Sequence, residues 1–224
     1  MKGKKTYATT FMRAYITLLL IVCLFLPFYE KGKFELFINK AHNPLYDVFF
    51  AGITQIGDGA ILVLPIFLLL FVKFSYAIFV GWSTIVHMVL VNLGKRVLFR
   101  GMPRPIEFLS GHDVYTIPGV PISHWHSFPS GHTTTIFMLT SALSMLSYKK
   151  KWLQQALLGV AVLVGFSRIY LMQHFLSDVL AGSLLGVISS YLGRWITLKY
   201  FSRKKYRKSL YPKRKKIRSH ALTP

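Results

Sequence analysis

A net charge of +21 on 224 residues ordinarily marks a soluble basic domain, yet 53% of these residues are hydrophobic, 15% are aromatic and the mean hydropathy is +0.43, which excludes an ordinary soluble fold and names lipid as the solvent. The charge is not a nucleic-acid footprint either, because eleven of the 28 Lys and Arg fall in residues 199–218, directly after the last apolar run, where they face anionic lipid headgroups. Cys23 is the only cysteine and lies inside an apolar run, so one chain holds neither a disulfide framework nor a cysteine-based metal site.

In chain order, the N-terminus has the basic-then-apolar layout of a signal peptide. Residues 26–32 (LPFYEKG) offer no small-residue cleavage site, so this segment reads as a retained first span. Apolar runs predict six membrane-spanning helices near residues 12–29, 59–73, 75–94, 132–148, 152–170 and 178–198, helical because lipid cannot satisfy an open backbone. Residues 42–58 are apolar but carry His42, Asp47 and Asp58; they read as an interfacial helix or as a downward extension of the short second span. The expected fold is all-α, a six-helix transmembrane bundle formed by residues 1–201 as one domain, followed by a flexible basic cytoplasmic tail at 202–224.

Lys and Arg near span ends favour the cytoplasm. Nineteen fall on the side of the termini, including the tail, and eight on the other: Lys31, Lys33, Lys40, Lys95, Arg96, Arg100, Arg104 and Arg168. All seven acidic residues share that second side. Both termini are therefore expected in the cytoplasm, with the protein multi-pass in the cytoplasmic membrane and the opposite face periplasmic or extracellular.

Three polar clusters lie at that outer face: residues 95–105 (KRVLFRGMPRP), 129–132 (PSGH) and 167–178 (SRIYLMQHFLSD). Charges beside apolar spans are costly and tend to mark function. Ser130 and Gly131 open the fourth span, where free N–H groups and the positive helix end suit an anion; a plain turn and N-cap is the competing reading. His174 and Asp178, four apart, share one helix face, so the carboxylate can hold one imidazole nitrogen and leave the other free for attack on phosphorus. Arg168 adds a planar fork for phosphate oxygens. Lys95, Arg96, Arg100 and Arg104 surround a break at Gly101, Pro103 and Pro105.

These clusters resemble the three-part signature of the type 2 phosphatidic acid phosphatases (PAP2), which share their site with vanadium haloperoxidases. The second and third parts occur without deviation, as Pro129, Ser130, Gly131 and His132, then Ser167, Arg168, His174 and Asp178. The first part departs from the pattern: eight residues instead of six separate Lys95 from Arg104 and Pro105, and Val97 occupies the expected Lys position, so Lys95 takes the role with Arg96 as rival. The resemblance covers most of the chain except the tail.

It implies a cofactor-free, metal-independent bacterial lipid phosphatase in which His174, oriented by Asp178, attacks the phosphoryl group and forms a phosphohistidine. His132 protonates the leaving oxygen and water then releases phosphate. Lys95, Arg104, Arg168, Ser130 and the Gly131 N–H are assigned to the phosphate oxygens. The substrates it covers are undecaprenyl diphosphate, lipid A phosphates, phosphatidylglycerol phosphate and phosphatidic acid. The alternatives are a lipid phosphotransferase on the same scaffold and a non-catalytic lipid-phosphate binder or transporter. His112, His124 and His126 lie in the same outer loop at irregular spacing without an evident acidic partner and read as loop or headgroup contacts rather than a metal site, while His87 reads as a buried, hydrogen-bonded residue. Oligomeric state is not written in the motifs.

Overall fold

The computed structural model describes residues 9–210, and among them the only strand-like pairing is a single bridge between Pro103 and Trp125. The helices are α1 (Thr9–Phe25), α2 (Lys33–Lys40), α3 (Pro44–Ile53), α4 (Val63–Val72), α5 (Phe74–Leu93), α6 (Pro105–Phe108), α7 (Gly131–Leu146), α8 (Lys151–Tyr170) and α9 (Leu176–Tyr200). Four segments of the described chain are long and apolar enough to cross a membrane: Thr10–Phe28, Phe74–Leu98, Lys151–Tyr170 and Leu176–Tyr200. At 1.5 Å per residue the 25 residues of α9 reach about 37 Å, beyond the ~30 Å of hydrocarbon.

The six expected spans resolve into these four, one bent pair and one short central helix. Residues 42–58 and the expected second span are two arms of one unit, Pro44–Gly57 and Gly59–Val72, bent by 53°. The bend sits at Asp58, whose extended backbone stops the first arm while its side chain accepts from the Ala60 N–H (2.8 Å) and caps the second. The 16 residues of α7 amount to about 24 Å, short of a full crossing. Most of α7 is buried, because it lies at the centre against α5, α8 and α9. In the same core cluster are Phe11 and Tyr15 of α1, Phe79 and Val80 of α5, Val164 of α8 and Val187 of α9.

Lipid does not drive helices together, so close backbone approach and interhelical hydrogen bonds must do it. On α9, Gly182 and Gly186 are four apart and face α7. A Cβ at Gly182 would stand 2.7 Å from the Ser130 carbonyl oxygen, and one at Gly186 would stand 2.6 Å from that of Thr134. Ser141 of α7 bonds Ser190 of α9 (2.8 Å), and Tyr15 bonds Ser183 (3.0 Å). This contact sets the height of the α9 start against the α7 start. Buried Gln154 accepts from the orphan Phe11 N–H at the beginning of α1 (3.1 Å).

At the end of the bundle where α8 stops and α9 starts, buried carboxylates act as latches. Glu35 of α2 accepts from the Tyr29 hydroxyl (2.7 Å), Gly32 N–H (2.8 Å) and Leu176 N–H (2.9 Å). Asp47 of α3 accepts from the hydroxyls of Tyr170 (2.6 Å) and Tyr115 (2.9 Å). Asn39 pairs with both backbone groups of Tyr115. Of the expected tail, residues 211–224 lie outside the described residues. Its first part is tied back to the α4–α5 turn, with Phe74 N–H donating to the Lys208 carbonyl (2.9 Å) and Leu210 N–H to that of Leu70 (3.0 Å).

The α7–α9 contact is testable. Gly186→Ala drives a methyl into backbone, and overpacking of this kind costs about 1–3 kcal/mol, read as a lowered thermal midpoint in detergent. Gly159→Ala, where a Cβ meets nothing within 4 Å, leaves the midpoint unchanged.

Candidate active site

The short turn between α8 and α9 carries the central histidine. Its backbone passes through a left-handed residue, Met172 (φ 53°), and the N–H groups of Gln173 and His174 both donate to the Arg168 carbonyl (3.0 and 3.1 Å), satisfying an orphan of the α8 end. His174 is 1% exposed. Burial pushes its imidazole well below the ordinary value of 6.5, and the nearby Arg104, Arg168, Lys95 and His132 push it further. The contact from Nδ1 to Asp178 Oδ2, 3.4 Å long, therefore joins a neutral imidazole to a carboxylate and is not an ion pair. A neutral ring whose Nδ1 faces an acceptor leaves Nε2 with its lone pair.

Asp178, buried at 3% exposure, caps α9 by accepting from the Phe175 N–H (3.0 Å), and its carbonyl accepts from the Ser130 N–H (3.1 Å). That second bond brings the α7 start to the α9 start. Ser130 is the N-cap of α7, accepting from Thr133 N–H (3.4 Å) and the Thr133 hydroxyl (2.9 Å). Its oxygen thus serves the cap, while its own hydroxyl proton is used by neither bond. His132, half-buried on the first turn of α7, stands in the field of Arg168, Lys95 and Arg104.

Three cations converge here. Lys95 follows α5, where the helix widens into a π-helical turn over Gly94–Leu98 closed by Phe99 N–H to the Gly94 carbonyl (2.8 Å). A π turn holds one residue more than an α turn and takes up part of the long Lys95-to-Arg104 spacing. Lys95 Nζ lies 3.9 Å from the ideal Cβ position of Gly131, over the α7 start, whereas Arg96 is exposed. Among the cations acting on His174, Lys95 figures and Arg96 does not.

Arg104 is nearly buried, donating from Nε to the Trp125 carbonyl (3.1 Å) and from Nη1 to Gln173 Oε1 (2.7 Å). Burial lowers its guanidinium below the ordinary arginine value while Asp178 opposes that. Arg168 donates from Nη1 to the Thr54 hydroxyl (2.7 Å), and its buried Nε has no partner among the described residues. An orphaned buried donor of this kind costs about 1–3 kcal/mol, which an arriving anion relieves.

The remaining histidines stay apart. His124 pairs with Glu107 (2.9 Å), supplying the acidic partner that its spacing did not reveal, and His126 approaches the Lys95 carbonyl (3.3 Å). His112 is exposed. His87 is buried in α5 with Nε2 at 3.2 Å from the Thr135 hydroxyl. Phe128 packs edge-on against Phe99 (4.6 Å between centroids).

Sequence reasoning missed Thr54, Gln173 and Ser127. Ser127 is 1% exposed, with its hydroxyl 2.5 Å from Asp178 Oδ2 and 3.5 Å from His174 Nδ1. Neither charge nor periodicity distinguishes it; its one signal is its place three residues before Ser130.

The family model described as the PAP2 superfamily matches residues 76–202, which contain all eight residues assigned above. The chain belongs to the PAP2 superfamily. Aquifex aeolicus LpxE has a similar crystal structure (TM-score 0.65, 32% identity), covering 76% of this chain and 95% of that one. An undecaprenyl-diphosphatase of Sulfolobus acidocaldarius is 35% identical over 112 residues, 49% of this chain and 50% of the relative. A lipid A 1-phosphatase of Rhizobium etli is 32% identical over 122 residues, 50% of this chain and 49% of the relative. The chain thus spans about half the length of these curated relatives. With its apolar helices, this PAP2 protein is an integral membrane protein.

The depressed basicity of His174 makes a prediction about pH. The acid limb of kcat/KM, which reports the free enzyme, falls below pH 6.5, the ordinary histidine value. The check is a rate profile across pH 4 to 9 with a lipid phosphate in detergent.

Proposed function

We propose that this chain is a PAP2-type membrane phosphatase that hydrolyses the phosphate or diphosphate of a lipid through a phosphohistidine on His174. The carrying observation is a buried imidazole backed on Nδ1 by a carboxylate, with Lys95, Arg104 and Arg168 around it. Phosphoryl transfer demands positioning and charge stabilisation more than covalent apparatus, and three cations with a helix N-terminus supply both.

In the first step the Nε2 lone pair forms the N–P bond as the P–O bond to the lipid breaks, and the leaving oxygen takes a proton from His132. The bound phosphate's negative charge favours the protonated form of His132 on substrate arrival. Asp178 accepts from Nδ1–H and stabilises the cationic ring. In the second step water attacks phosphorus, its proton passes to His132, the N–P bond breaks and inorganic phosphate leaves. Lys95, Arg104, Arg168 and the N–H groups of the α7 start hold the equatorial oxygens.

The names of the relatives favour undecaprenyl diphosphate and the 1-phosphate of lipid A as substrates. The excess of Lys and Arg on the side of the termini favours a site facing the periplasm or cell exterior.

Purified protein in detergent with EDTA is expected to release phosphate from one of these two lipids. His174→Ala should insert normally and lose activity by about 10⁴-fold or more, the scale of removing a nucleophile. Wild-type activity in that variant would sink the proposal. No release from either lipid, nor from phosphatidylglycerol phosphate or phosphatidic acid, would move the chain to the transferase or binder readings.

A further inference from the structure

Resting on the reading of His174 as nucleophile, we propose that Ser127 is a positioning residue for that histidine, fixing the proton on Nδ1 and the Asp178 carboxylate in the rotamer that faces the ring. The argument is one of donor and acceptor counting. A serine hydroxyl has one proton and two lone pairs. The charged carboxylate is the stronger acceptor within reach, so the Ser127 proton goes to Asp178 Oδ2 at 2.5 Å. With its proton spent, the Ser127 oxygen can only accept from His174 Nδ1, 3.5 Å away.

Nδ1 then faces two acceptors, Asp178 Oδ2 at 3.4 Å and Ser127 Oγ at 3.5 Å. Both contacts are long, so neither alone defines the ring orientation; together they leave the Nδ1–H tautomer as the only one without facing lone pairs. The attacking pair therefore sits on Nε2.

Oδ2 is also held by the Phe175 N–H (3.0 Å), while among the described residues Oδ1 receives the Ser177 hydroxyl alone, at 3.4 Å. Ser127 and Phe175 approach Oδ2 from different elements, the outer loop and the α9 start, and this stops rotation of the carboxylate away from His174. Ser127 also travels with the acid histidine. Its loop continues through Phe128 and Pro129 into the cap Ser130 and then His132, and Ser130 N–H is anchored on the Asp178 carbonyl. The two fastenings hold the His132 turn and the His174 turn in one register.

The charged and titratable groups facing His174 are Asp178 from α9, Arg168 from α8, Lys95 from the α5 end, Arg104 from the outer loop and His132 from α7. Ser127 is the uncharged member that tunes this set. Removing its hydroxyl takes a donor from Asp178, leaves more negative charge on Oδ2 and stabilises the imidazolium of His174.

The experiment compares Ser127→Ala, Ser127→Thr and wild type on the lipid that wild type hydrolyses. Ser127→Ala should lower kcat about 10- to 100-fold, the scale for hydrogen-bond partners of functional histidines, with KM within about twofold. Its acid limb of kcat/KM should move to higher pH, and Ser127→Thr, which keeps the hydroxyl, should recover most of kcat. A kcat within about threefold of wild type, or a loss equal at every pH with the acid limb in place, would overturn the proposal. So would failure of both variants to purify as monodisperse protein, which would make Ser127 a folding residue. An inactive wild type with an equally inactive His174→Ala would instead overturn the phosphatase reading itself.

Discussion

A carboxylate taken out of water has to fill its lone pairs with donors, and the candidate site is organised around one that does so, Asp178. Its Oδ2 gathers the Ser127 hydroxyl, the Phe175 N–H and the His174 ring, and its carbonyl takes the Ser130 N–H. Two regions of chain distant in sequence are thereby held at one point: Ser127 with the α7 start, and the α8–α9 turn with the α9 start. Loss of the carboxylate would leave a helix end without its cap and two buried partners without an acceptor.

Beside this point the protein places several like charges in a largely buried setting, an arrangement that destabilises the site when nothing negative is bound. Arg104 is anchored by carbonyl and amide oxygens from Trp125 and Gln173, and Arg168 by the Thr54 hydroxyl. Neutral anchors fix the guanidinium groups in place without neutralising them, so their field stays available to a ligand. Burial holds the His174 imidazole well below its ordinary value, and the same field pushes it further. A charged ring would lack a nucleophilic pair, so the cation cage serves both the proposed binding of phosphate and the proposed attack on it.

Below the site, the solvent changes the rules of packing. Since apolar faces gain nothing by leaving lipid for one another, α7 and α9 meet through Gly182, Gly186 and a serine pair rather than through large side chains. The close approach at Gly182 lies against the Ser130 carbonyl, so the packing of the span and the geometry of the site are one contact. Glu35 and Asp47, which sequence reading counted only as charges, are buried acceptors that hold α2 against the α9 start and α3 against the α8 end.

The sequence by itself determined the class of solvent, the helical architecture and the family. Apolar runs and a three-part motif are local properties of a chain, and lipid permits few alternatives to a helix. It also singled out His132, His174, Asp178, Arg104 and Arg168, which the fold brings together. What only the tertiary structure decided were the contacts between segments distant in sequence. The bend at Asp58 paired residues 42–58 with the second span where the sequence had left an interfacial helix equally open, the short α7 sank to the centre, and Lys95 rather than Arg96 came over Gly131 beside a π turn. Ser127, Thr54 and Gln173 were invisible for the same reason: a neutral hydroxyl or amide has no periodicity or charge to announce it, and gains its role only from the buried donor or acceptor that folding brings within 3 Å or so.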